Sequence, residues 1–573
     1  MFFAKTCLGA IGFSASLTLA LALAQNQVPL VEDTPRRPNV VFILTDDQDV
    51  QLDSLRVTLW TGKTPHNTNV TDVSPPYGGY PKFVAQGFNE NYFPIWLQRS
   101  GYNTYYTGKL FNAHTVKNYN SPYPGGFTGS DFLLDPHTYD YLNSTFQRND
   151  EEPRSYEGQY STDVMAEKAY GFLDDAVRHL GNKPFFLTVA PIGPHSNVII
   201  KDASPGEDRS AQFGEPIPAE RHRHLFEDVK VPRTENFNPD HVGVPDTPML
   251  SSGANWLLGL PQQNQSNIDY NDHFYRQRLR SLQAVDELVD GLITRLEEYG
   301  ILDNTYIVYS SDNGFHIGQH RLQPGKTCGY EEDINVPLIV RGPGVAPNYT
   351  TNIVTSHTDL APTFLELLGI PLREDFDGKP IPVTKGEIEV AEQTRREHVN
   401  VEYWGRAISE GVHQVLSQEH NTYKAIRLSG PDYNLYYSVW CSNEHELYDM
   451  SVDRGQMHNL LNPSTSLSSE TLIAGLPIAK VVSRLDALLF VLKSCKGLSC
   501  RQPWKQLHPA GEVNSLADAL NSGFDDFYEM QNTRVRFEFC ANGYLVDAEG
   551  PMWETQGPTV PYLRDGISWE EWV

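Results

Sequence analysis

The chain has 573 residues, with 45 basic and 72 acidic side chains and a formal net charge of −27. This acidic excess argues against nucleic acid and anionic membrane surfaces as partners, because both would be repelled. The length and the 39% share of hydrophobic residues predict a globular protein with one large and one smaller domain. Because the chain as a whole is acidic, any anion site must be built locally from Lys, Arg, His or a metal ion.

The first 24 residues have the layout of a cleavable secretory signal. Lys5 lies near the start, an apolar stretch follows, and Ala22, Leu23 and Ala24 precede Gln25. The apolar stretch is short for a bilayer span and contains Ser and Thr, which favours a cleaved signal over a retained anchor, and no later stretch is long enough to span a membrane. We predict a secreted, N-glycosylated protein with Asn-x-Ser/Thr sequons at Asn69, Asn143, Asn264 and Asn348.

Two predicted strands, 38–45 and 306–311, end directly in oxygen-bearing side chains. Both are apolar without alternation, which is typical of strands buried on both faces of a parallel sheet. The residues that follow them are Asp46 with Asp47 and Asp312 with Asn313. Sites in open α/β sheets lie at the carboxyl ends of strands, and calcium and magnesium take oxygen ligands. The pattern predicts a shared metal site, the alternative being that the first two aspartates only cap the next helix.

Helix and strand patterns alternate through the first two thirds of the chain, which predicts a doubly wound α/β domain. The other elements predicted there are helices at 93–100, 162–180, 274–299 and 359–368 and strands at 102–106, 185–190 and 336–340, the last one at a sheet edge because it contains Pro337.

Residues 371–396 are rich in Gly, Pro and charge and are predicted to form the domain boundary. Strands at 423–428 and 433–437 and an amphipathic helix at 478–492 then predict a smaller α+β domain. The predicted domains are 37–380 and 397–573.

The cysteines fall into two groups. Cys7 lies in the predicted signal, and four others lie in the last third of the chain, where they can form two disulfides whose pairing the sequence leaves open. These four are Cys441, Cys495, Cys500 and Cys540. Cys328 is left over and is predicted to be a buried free thiol.

Three cationic residues follow other strands or turns, namely Lys109, His195 and Lys326. Each alone is better explained as a solvated surface charge than as a ligand group. Their recurrence beside a predicted metal site points to a combined anion site, because a metal with Lys and His binds a tetrahedral oxyanion and stabilises charge on its leaving oxygen.

Several motifs together resemble the sulfatase family, closest to secreted eukaryotic arylsulfatases and glucosamine-6-sulfatases. The matching segments are Thr45-Asp46-Asp47-Gln48, Leu59-Trp60-Thr61-Gly62-Lys63, Thr107-Gly108-Lys109, Pro194-His195, Ser311-Asp312-Asn313-Gly314, Lys326 with Tyr330-Glu331, and His445-Glu446-Leu447-Tyr448-Asp449. The resemblance implies an alkaline-phosphatase-like α/β fold, with a mixed, mainly parallel sheet between helices, and hydrolysis of aryl or sugar sulfate esters. It also implies calcium held by Asp46, Asp47, Asp312 and Asn313, with Lys109, His195 and Lys326 on the sulfate ester.

The same resemblance implies a formylglycine nucleophile, made from the Cys of a Cys-x-Pro-Ser-Arg motif. Arg56 corresponds to the motif arginine, but Leu52 stands at the position of the Cys, and the segment after Asp47 is shorter than in the family. Cys328 does not substitute, because no such motif surrounds it. For the chain as written we therefore predict little or no sulfatase activity.

Three explanations remain open for this departure. The first is a mis-spliced or wrongly predicted gene product that lacks one contiguous segment. The second is a protein that has lost catalysis and keeps calcium or anion binding. The third is a phosphate-ester hydrolase with another nucleophile, Ser54 or Thr58, although both are also explained as a helix cap or helix surface. A further departure is Phe111, where many sulfatases have a His, and the role of His114 stays open.

Overall fold

The computed structural model describes residues 37–48, 55–178, 183–200, 211–240, 257, 259–394, 397–412, 417–461 and 472–553. Within these residues the strands are β1 Asn39–Thr45, β2 Asn103–Lys109, β3 Gly129–Leu133, β4 Thr145–Arg148, β5 Arg154–Ser155, β6 Phe185–Ala190, β7 Asn197–Ile200, β8 Ala211–Gly214, β9 Thr305–Ser311, β10 Gly325–Lys326, β11 Leu338–Arg341, β12 His398–Tyr403, β13 Ala407–Ser409, β14 Ser417–Gln418, β15 Tyr423–Gly430, β16 Tyr433–Trp440, β17 His445–Asp449, β18 Leu472–Ile473 and β19 Leu476–Pro477.

The α-helices of the same residues, numbered separately, are α1 Leu55–Thr61, α2 Pro65–Thr68, α3 Gly79–Ala85, α4 Phe93–Arg99, α5 Ser161–Arg178, α6 Gln265–Glu298, α7 Glu331–Ile334, α8 Leu360–Leu367, α9 Lys385–Thr394, α10 Ile478–Leu492, α11 Leu498–Arg501, α12 Trp504–Leu507, α13 Leu516–Ala519 and α14 Asp525–Glu529. None of the helices described is both long enough and apolar enough to cross a membrane.

The main sheet of the described residues has the strand order β11-β9-β1-β6-β2-β3-β4-β5. Its central strands from β9 to β3 are parallel, whereas β11, β4 and β5 run antiparallel to their neighbours. Parallel central strands place their carboxyl ends at one edge, and this edge carries the candidate site.

Helices cover both faces of this sheet, and β1 lies between them. Val40, Phe42 and Leu44 belong to a core that includes residues of α1, α4 and α8. Val41 and Ile43 face the other way, into a core with residues of α5 and α6. Every residue of β1 is buried, because successive side chains point to opposite, covered faces. The mixed, mainly parallel sheet predicted from the sequence is confirmed.

The later part of the chain forms an antiparallel sheet of order β12-β15-β16-β17. Helix α10 contributes Val481, Leu485 and Leu488 to a core shared with β15 and β16. The short strand β10 also pairs with β13, so the segment carrying Lys326 is hydrogen-bonded to a strand from the later part of the chain. The predicted domain limits themselves stay a prediction.

Most predicted elements appear within a few residues of their expected bounds, and the strand at 185–190 and the helix at 478–492 match β6 and α10 residue for residue. Strand β11 lies at the sheet edge, as Pro337 indicated. The predicted start of the long helix was wrong, because α6 begins at Gln265 rather than near residue 274. Its first turns are polar and lack apolar periodicity, and the Asn264 side chain caps them by accepting from the Asn267 N–H at 3.0 Å.

The cysteine predictions are confirmed and completed. Two disulfides form, Cys441–Cys540 and Cys495–Cys500. Cys328 is a free, fully buried thiol, and burial raises its pKa well above the ordinary value.

Candidate active site

The two acidic strand ends meet because β1 and β9 pair in parallel with Thr45 opposite Ser311. The Asp47 N–H donates to Asp312 Oδ1 at 3.2 Å, and the Asn313 side-chain amide donates to Asp47 Oδ1. Asp47 has a left-handed φ of 62°, which turns the chain sharply after β1. Asp46, Asp47, Asp312 and Asn313, predicted from separate strands, therefore lie together and are buried.

Several oxygen atoms of this group lack a hydrogen bond. Among the residues described, Asp46 Oδ1, Asp47 Oδ2 and Asn313 Oδ1 are buried without a hydrogen-bond partner. Buried polar atoms are nearly always hydrogen-bonded or bound to an ion, so three on adjacent side chains are unusual. Carboxylate and amide oxygens are the ligands that calcium prefers, and these residues fit such an ion.

Arg56 and Lys109 approach the acidic group from one side. Arg56 lies on α1, and its Nε donates to Asp312 Oδ2 at 2.8 Å while its terminal nitrogens reach the Lys109 carbonyl at 2.7 Å and Asp46 Oδ2 at 3.4 Å. Lys109 is the last residue of β2, and its Nζ lies 2.8 Å from Asp46 Oδ2 and 3.7 Å from Asp312 Oδ2. Arg56 and Lys109 thus both contact the carboxylates of Asp46 and Asp312.

Lys326 and His195 approach from the other side. The Lys326 Nζ donates to Asp47 Oδ1 at 2.7 Å and lies 3.2 Å from His195 Nε2. The His195 Nδ1 lies 2.7 Å from the Ser196 carbonyl, which only accepts, so Nδ1 carries a proton and Nε2 faces Lys326. The Tyr139 ring stacks on the imidazole at 4.0 Å between centroids. These cations and the acidic group together are called the edge cluster: Asp46, Asp47, Arg56, Lys109, His195, Asp312, Asn313 and Lys326.

Opposite charges keep the edge cluster ionised despite its burial. Burial alone would raise the pKa of Asp46, but the charges of Lys109, His195 and Arg56 outweigh it and hold that pKa below its ordinary value. The pKa of Asp47 is lowered in the same way, with burial outweighed by His195 and Lys326. Burial would lower the pKa of Lys109, yet the neighbouring carboxylates raise it. At neutral pH the site therefore contains full charges in a protein interior.

A cavity of about 950 Å³ opens onto one side of the edge cluster. His195 and Lys326 form part of its wall, together with Tyr139 and with residues of the later part of the chain such as Trp404 and Glu410. Glu410 follows β13, is buried, and contacts Lys326 Nζ at 3.2 Å through Oε1. Its Oε2 accepts a hydrogen bond from the Ser196 hydroxyl at 2.7 Å.

Sequence reasoning missed Tyr139, Ser196, Glu410 and Arg278, whose guanidinium donates to the Asp47 carbonyl. Only Ser196 carried a signal, since it is next to His195. Glu410 sits in an irregular segment with no motif around it.

Other residues considered from the sequence are not brought to this cavity. Thr58 lies on α1 but borders a different cavity, of about 580 Å³, and its buried hydroxyl makes no hydrogen bond to any described residue. His114 packs against the rings of Tyr80 and Phe132, and burial lowers its pKa to about 4. Phe111 is buried in the same aromatic core. Leu52 and Ser54 lie outside the described residues.

Comparisons with known proteins agree with this architecture. The family described as Sulfatase matches residues 53–370, and the family described as N-sulphoglucosamine sulphohydrolase, C-terminal, matches residues 318–474. The chain is 37% identical over 561 residues to an arylsulfatase of Volvox carteri, covering 89% of this chain and 83% of the relative. It is 30% identical over 530 residues to the N-acetylglucosamine-6-sulfatase of Homo sapiens, covering 82% and 86%.

Solved structures show the same fold. One protein, in complex with its substrate D-glucosamine-2-N,6-O-disulfate, superposes with a TM-score of 0.55 at 23% identity, over 75% of this chain and 94% of that one. A putative sulfatase from Bacteroides fragilis gives a TM-score of 0.53 at 18% identity, over 74% and 91%.

The strand order of the main sheet and the solved structures define the fold, an α/β fold of the alkaline-phosphatase-like type. The chain belongs to the sulfatase family, whose members hydrolyse sulfate esters and generally use calcium and formylglycine.

Proposed function

We propose that the edge cluster is a calcium-dependent site for a sulfate monoester, and that the native reaction is hydrolysis of an aryl or sugar sulfate ester. The observation that carries the proposal is the convergence of residues that follow four strands, β1, β2, β6 and β9, on one buried cluster in which three oxygen atoms have no hydrogen bond to a described residue. Family membership supplies the reaction class.

Calcium would be held by Asp46, Asp47, Asp312 and Asn313. When bound, it would supply positive charge next to the sulfate oxygens and stabilise charge that develops on them. Arg56 is the residue that keeps Asp312 oriented, because its Nε–H donates to that carboxylate. Lys109 and Lys326 each pair with one aspartate of this set, which keeps both aspartates ionised and ready to act as ligands.

Charge balance supports an anionic ligand. The carboxylates of Asp46, Asp47 and Asp312 are matched by the cations of Arg56, Lys109 and Lys326. A divalent cation would therefore leave the cluster positively charged, in a chain whose net charge is −27. A buried positive site favours an anion strongly, because little water screens it.

His195 and Lys326 are the proton donors to the departing alcohol in this proposal. The Nε2 of His195 and the Nζ of Lys326 lie 3.2 Å apart and both border the cavity. Lys326 donates towards Nε2, so a proton passes from the Lys326 ammonium through His195 Nε2 to the departing oxygen. Lys326 is left as a neutral amine that takes up a proton from solvent. The cavity next to them has room for the alcohol part of the ester, and Tyr139 holds the imidazole by stacking on it.

The chain as written lacks the residue from which the family makes its nucleophile. Leu52 stands where the family has its formylglycine precursor, and this supports little or no turnover by the chain as written. Calcium and anion binding use other residues and would survive, so the second candidate function is a calcium-dependent anion-binding protein.

The direct test uses the purified full chain and 4-nitrophenyl sulfate, with binding measured by isothermal titration calorimetry and turnover by release of nitrophenol. We expect binding that requires calcium and is lost with a chelator, with no measurable turnover. Release of nitrophenol well above the uncatalysed rate would contradict the predicted loss of activity. Binding that is indifferent to calcium would contradict the proposed metal role.

Sequencing the transcript across the region encoding residues 48–57 separates the explanations for the missing nucleophile. An inserted segment ending in Cys-x-Pro-Ser before Arg56 would show that the native protein carries the formylglycine precursor. Confirmation of the junction as written would make the binding function, or another nucleophile, the one to pursue.

Secretion and N-glycosylation are also proposed. The signal-like residues 1–24 lie outside the described residues, but both disulfides favour an oxidising compartment. Among the sequon asparagines, Asn264 and Asn348 are exposed, whereas Asn69 and Asn143 are half-buried. We expect the secreted protein to shift in mass on treatment with an N-glycosidase, and an unchanged mass would contradict glycosylation.

A further inference from the structure

Glu410 is a buried carboxylate in the wall of the proposed sulfate site, and the proposed reaction gives it no task. It is 4% exposed, borders the same cavity as His195 and Lys326, and lies 3.2 Å from Lys326 Nζ. Lys326 is already paired with Asp47 at 2.7 Å, so Glu410 is not needed to balance that lysine. A second buried carboxylate on one ammonium group is costly unless its charge serves a purpose.

A role for the Glu410 charge follows from the net charge of the edge cluster and its neighbours. Of the charges near the edge cluster, Arg278, which donates to the Asp47 carbonyl, and Asp135, which borders the same cavity, offset each other. With its three carboxylates, its three permanent cations and a divalent metal, the edge cluster would then carry two positive charges. Glu410 reduces this to one. One positive charge matches a sulfate monoester, which is a monoanion, whereas a phosphate monoester is close to a dianion at neutral pH. Resting on the proposed function, we propose that Glu410 is a specificity-determining residue that selects monoanionic sulfate esters against dianionic phosphate esters.

The structure holds Glu410 firmly enough for this task. Its Oε2 accepts from the Ser196 hydroxyl at 2.7 Å, and its backbone N–H donates to the Pro324 carbonyl at 2.7 Å. Pairing of β10 with β13 anchors the same segment beside Lys326. The carboxylate therefore stays next to the anion site. In a site with little water, one unit of extra repulsion at this range changes affinity by about tenfold.

The test compares 4-nitrophenyl sulfate with 4-nitrophenyl phosphate, which share a leaving group and a tetrahedral shape and differ in charge. Their dissociation constants are measured by isothermal titration calorimetry at pH 8 with saturating calcium, and the quantity of interest is their ratio. We expect the wild-type chain to prefer the sulfate ester. In Glu410→Gln the phosphate ester gains more affinity than the sulfate ester, so the preference falls by about tenfold.

Two variants separate charge from structure. Glu410→Asp keeps the charge, so it should keep the wild-type ratio. Glu538→Gln removes one negative charge from an exposed residue that pairs with Arg536 at 2.9 Å and does not border this cavity, so it should leave the ratio unchanged. Thermal unfolding of each variant confirms that it is folded.

Two results would overturn the proposal for Glu410. One is a Glu410→Gln ratio equal to that of the wild type, and the other is a Glu538→Gln ratio that falls as far as that of Glu410→Gln. Failure of both esters to bind any variant, wild type included, would instead overturn the proposed function on which this role rests.

Discussion

Two buried clusters of charge among the described residues differ in how many of their oxygen atoms lack a hydrogen bond. The edge cluster borders a large cavity and has three oxygen atoms without hydrogen bonds to described residues. The second, here called the core charge cluster, consists of His66, Glu402, Lys424 and Glu549. In it, the His66 Nδ1 lies 2.8 and 3.0 Å from the two Glu402 oxygens, and Lys424 Nζ donates to Glu402 Oε2 at 2.5 Å.

The difference teaches that buried charge alone does not mark a functional site. Both carboxylate oxygens of Glu402 are used within the protein, although Glu402 also borders a cavity. Lys424 is further covered by the Trp404 ring, 3.9 Å from Nζ to the ring centroid. In the core charge cluster, the oxygen without a hydrogen bond to a described residue is Glu549 Oε2, and Lys424 Nζ lies 3.6 Å from it. The charges of this cluster are thus paired within the protein, and they hold α2 to β12 and β15. Three oxygen atoms of the edge cluster lack a hydrogen bond to a described residue, and we propose that they bind an ion.

The largest effect is expected from breaking the core charge cluster. Glu402→Ala leaves His66 and Lys424 buried without their shared carboxylate, and we expect a loss of about 3–5 kcal/mol in the free energy of unfolding. Denaturant unfolding measures it. Glu538→Ala is the control, because it breaks an exposed ion pair with Arg536 and should cost less than about 1 kcal/mol. Equal losses in the two variants would show that the core charge cluster contributes no more than a surface pair.

Acid should weaken the same cluster. Burial would raise the pKa of Glu402, but His66 and Lys424 outweigh it and lower that pKa to about 2. A carboxylate with a lowered folded-state pKa stabilises the fold above its unfolded pKa, about 4.3. This stability is lost as the pH falls from about 4 towards 2, and the difference between wild type and Glu402→Ala should narrow over that range.

Calcium binding at the edge cluster should change the free energy of unfolding slightly less than Glu402→Ala does. Calcium at one hundred times its dissociation constant is expected to raise the free energy of unfolding by about 2.7 kcal/mol. Asp47→Asn should abolish this response, because it removes a ligand charge. Asp303→Asn, at an exposed turn before β9, should keep it. A full calcium response in Asp47→Asn would exclude the edge cluster as the calcium site.

A further contrast concerns a carboxylate that lacks strong cationic partners. Asp486 on α10 is buried, and burial raises its pKa to about 6, although Tyr437 donates to it at 2.9 Å. A carboxyl whose folded-state pKa is raised favours unfolding as the pH rises from about 4 to 6, because the unfolded state loses its proton first. We expect the free energy of unfolding of the wild type to fall by about 2–3 kcal/mol over this pH range. Asp486→Asn should not show this fall, and the difference between the pH dependences of the two proteins measures it. Parallel curves would show that Asp486 titrates normally.

The smallest effect is expected at Thr58. Its hydroxyl is buried without a hydrogen bond to any described residue, and it faces the smaller cavity rather than the edge cluster. Thr58→Val should change the free energy of unfolding by less than about 1 kcal/mol, in the stabilising direction if at all. Calcium and anion binding should be unchanged in calorimetry. If the wild type hydrolysed a phosphate ester and Thr58→Val did not, this result would support Thr58 as a nucleophile.

Local patterns predicted much of the fold. Strand β6 and helix α10 were predicted residue for residue, because their apolar content and period are encoded within the segment itself. The start of α6 was missed, because a polar, exposed helical turn leaves no such period.

The convergence of the candidate site residues was predicted for a similar reason. Asp46, Asp47, Asp312 and Asn313 directly follow buried strands, and parallel strands must bring their carboxyl ends to one edge. Lys109 and His195 lie at the ends of neighbouring strands in the same sheet. A general rule about strand ends was therefore enough to place them together before their contacts were known.

What the sequence determined by itself is thus the set of elements and the residues that their ends present. The tertiary structure alone decided the pairing of Cys441 with Cys540, the position of Thr58 at the smaller cavity and the position of Glu410 beside Lys326. These depend on contacts between segments far apart in the chain, such as the pairing of β10 with β13. No local pattern encodes such contacts, because they form only when many side chains pack together.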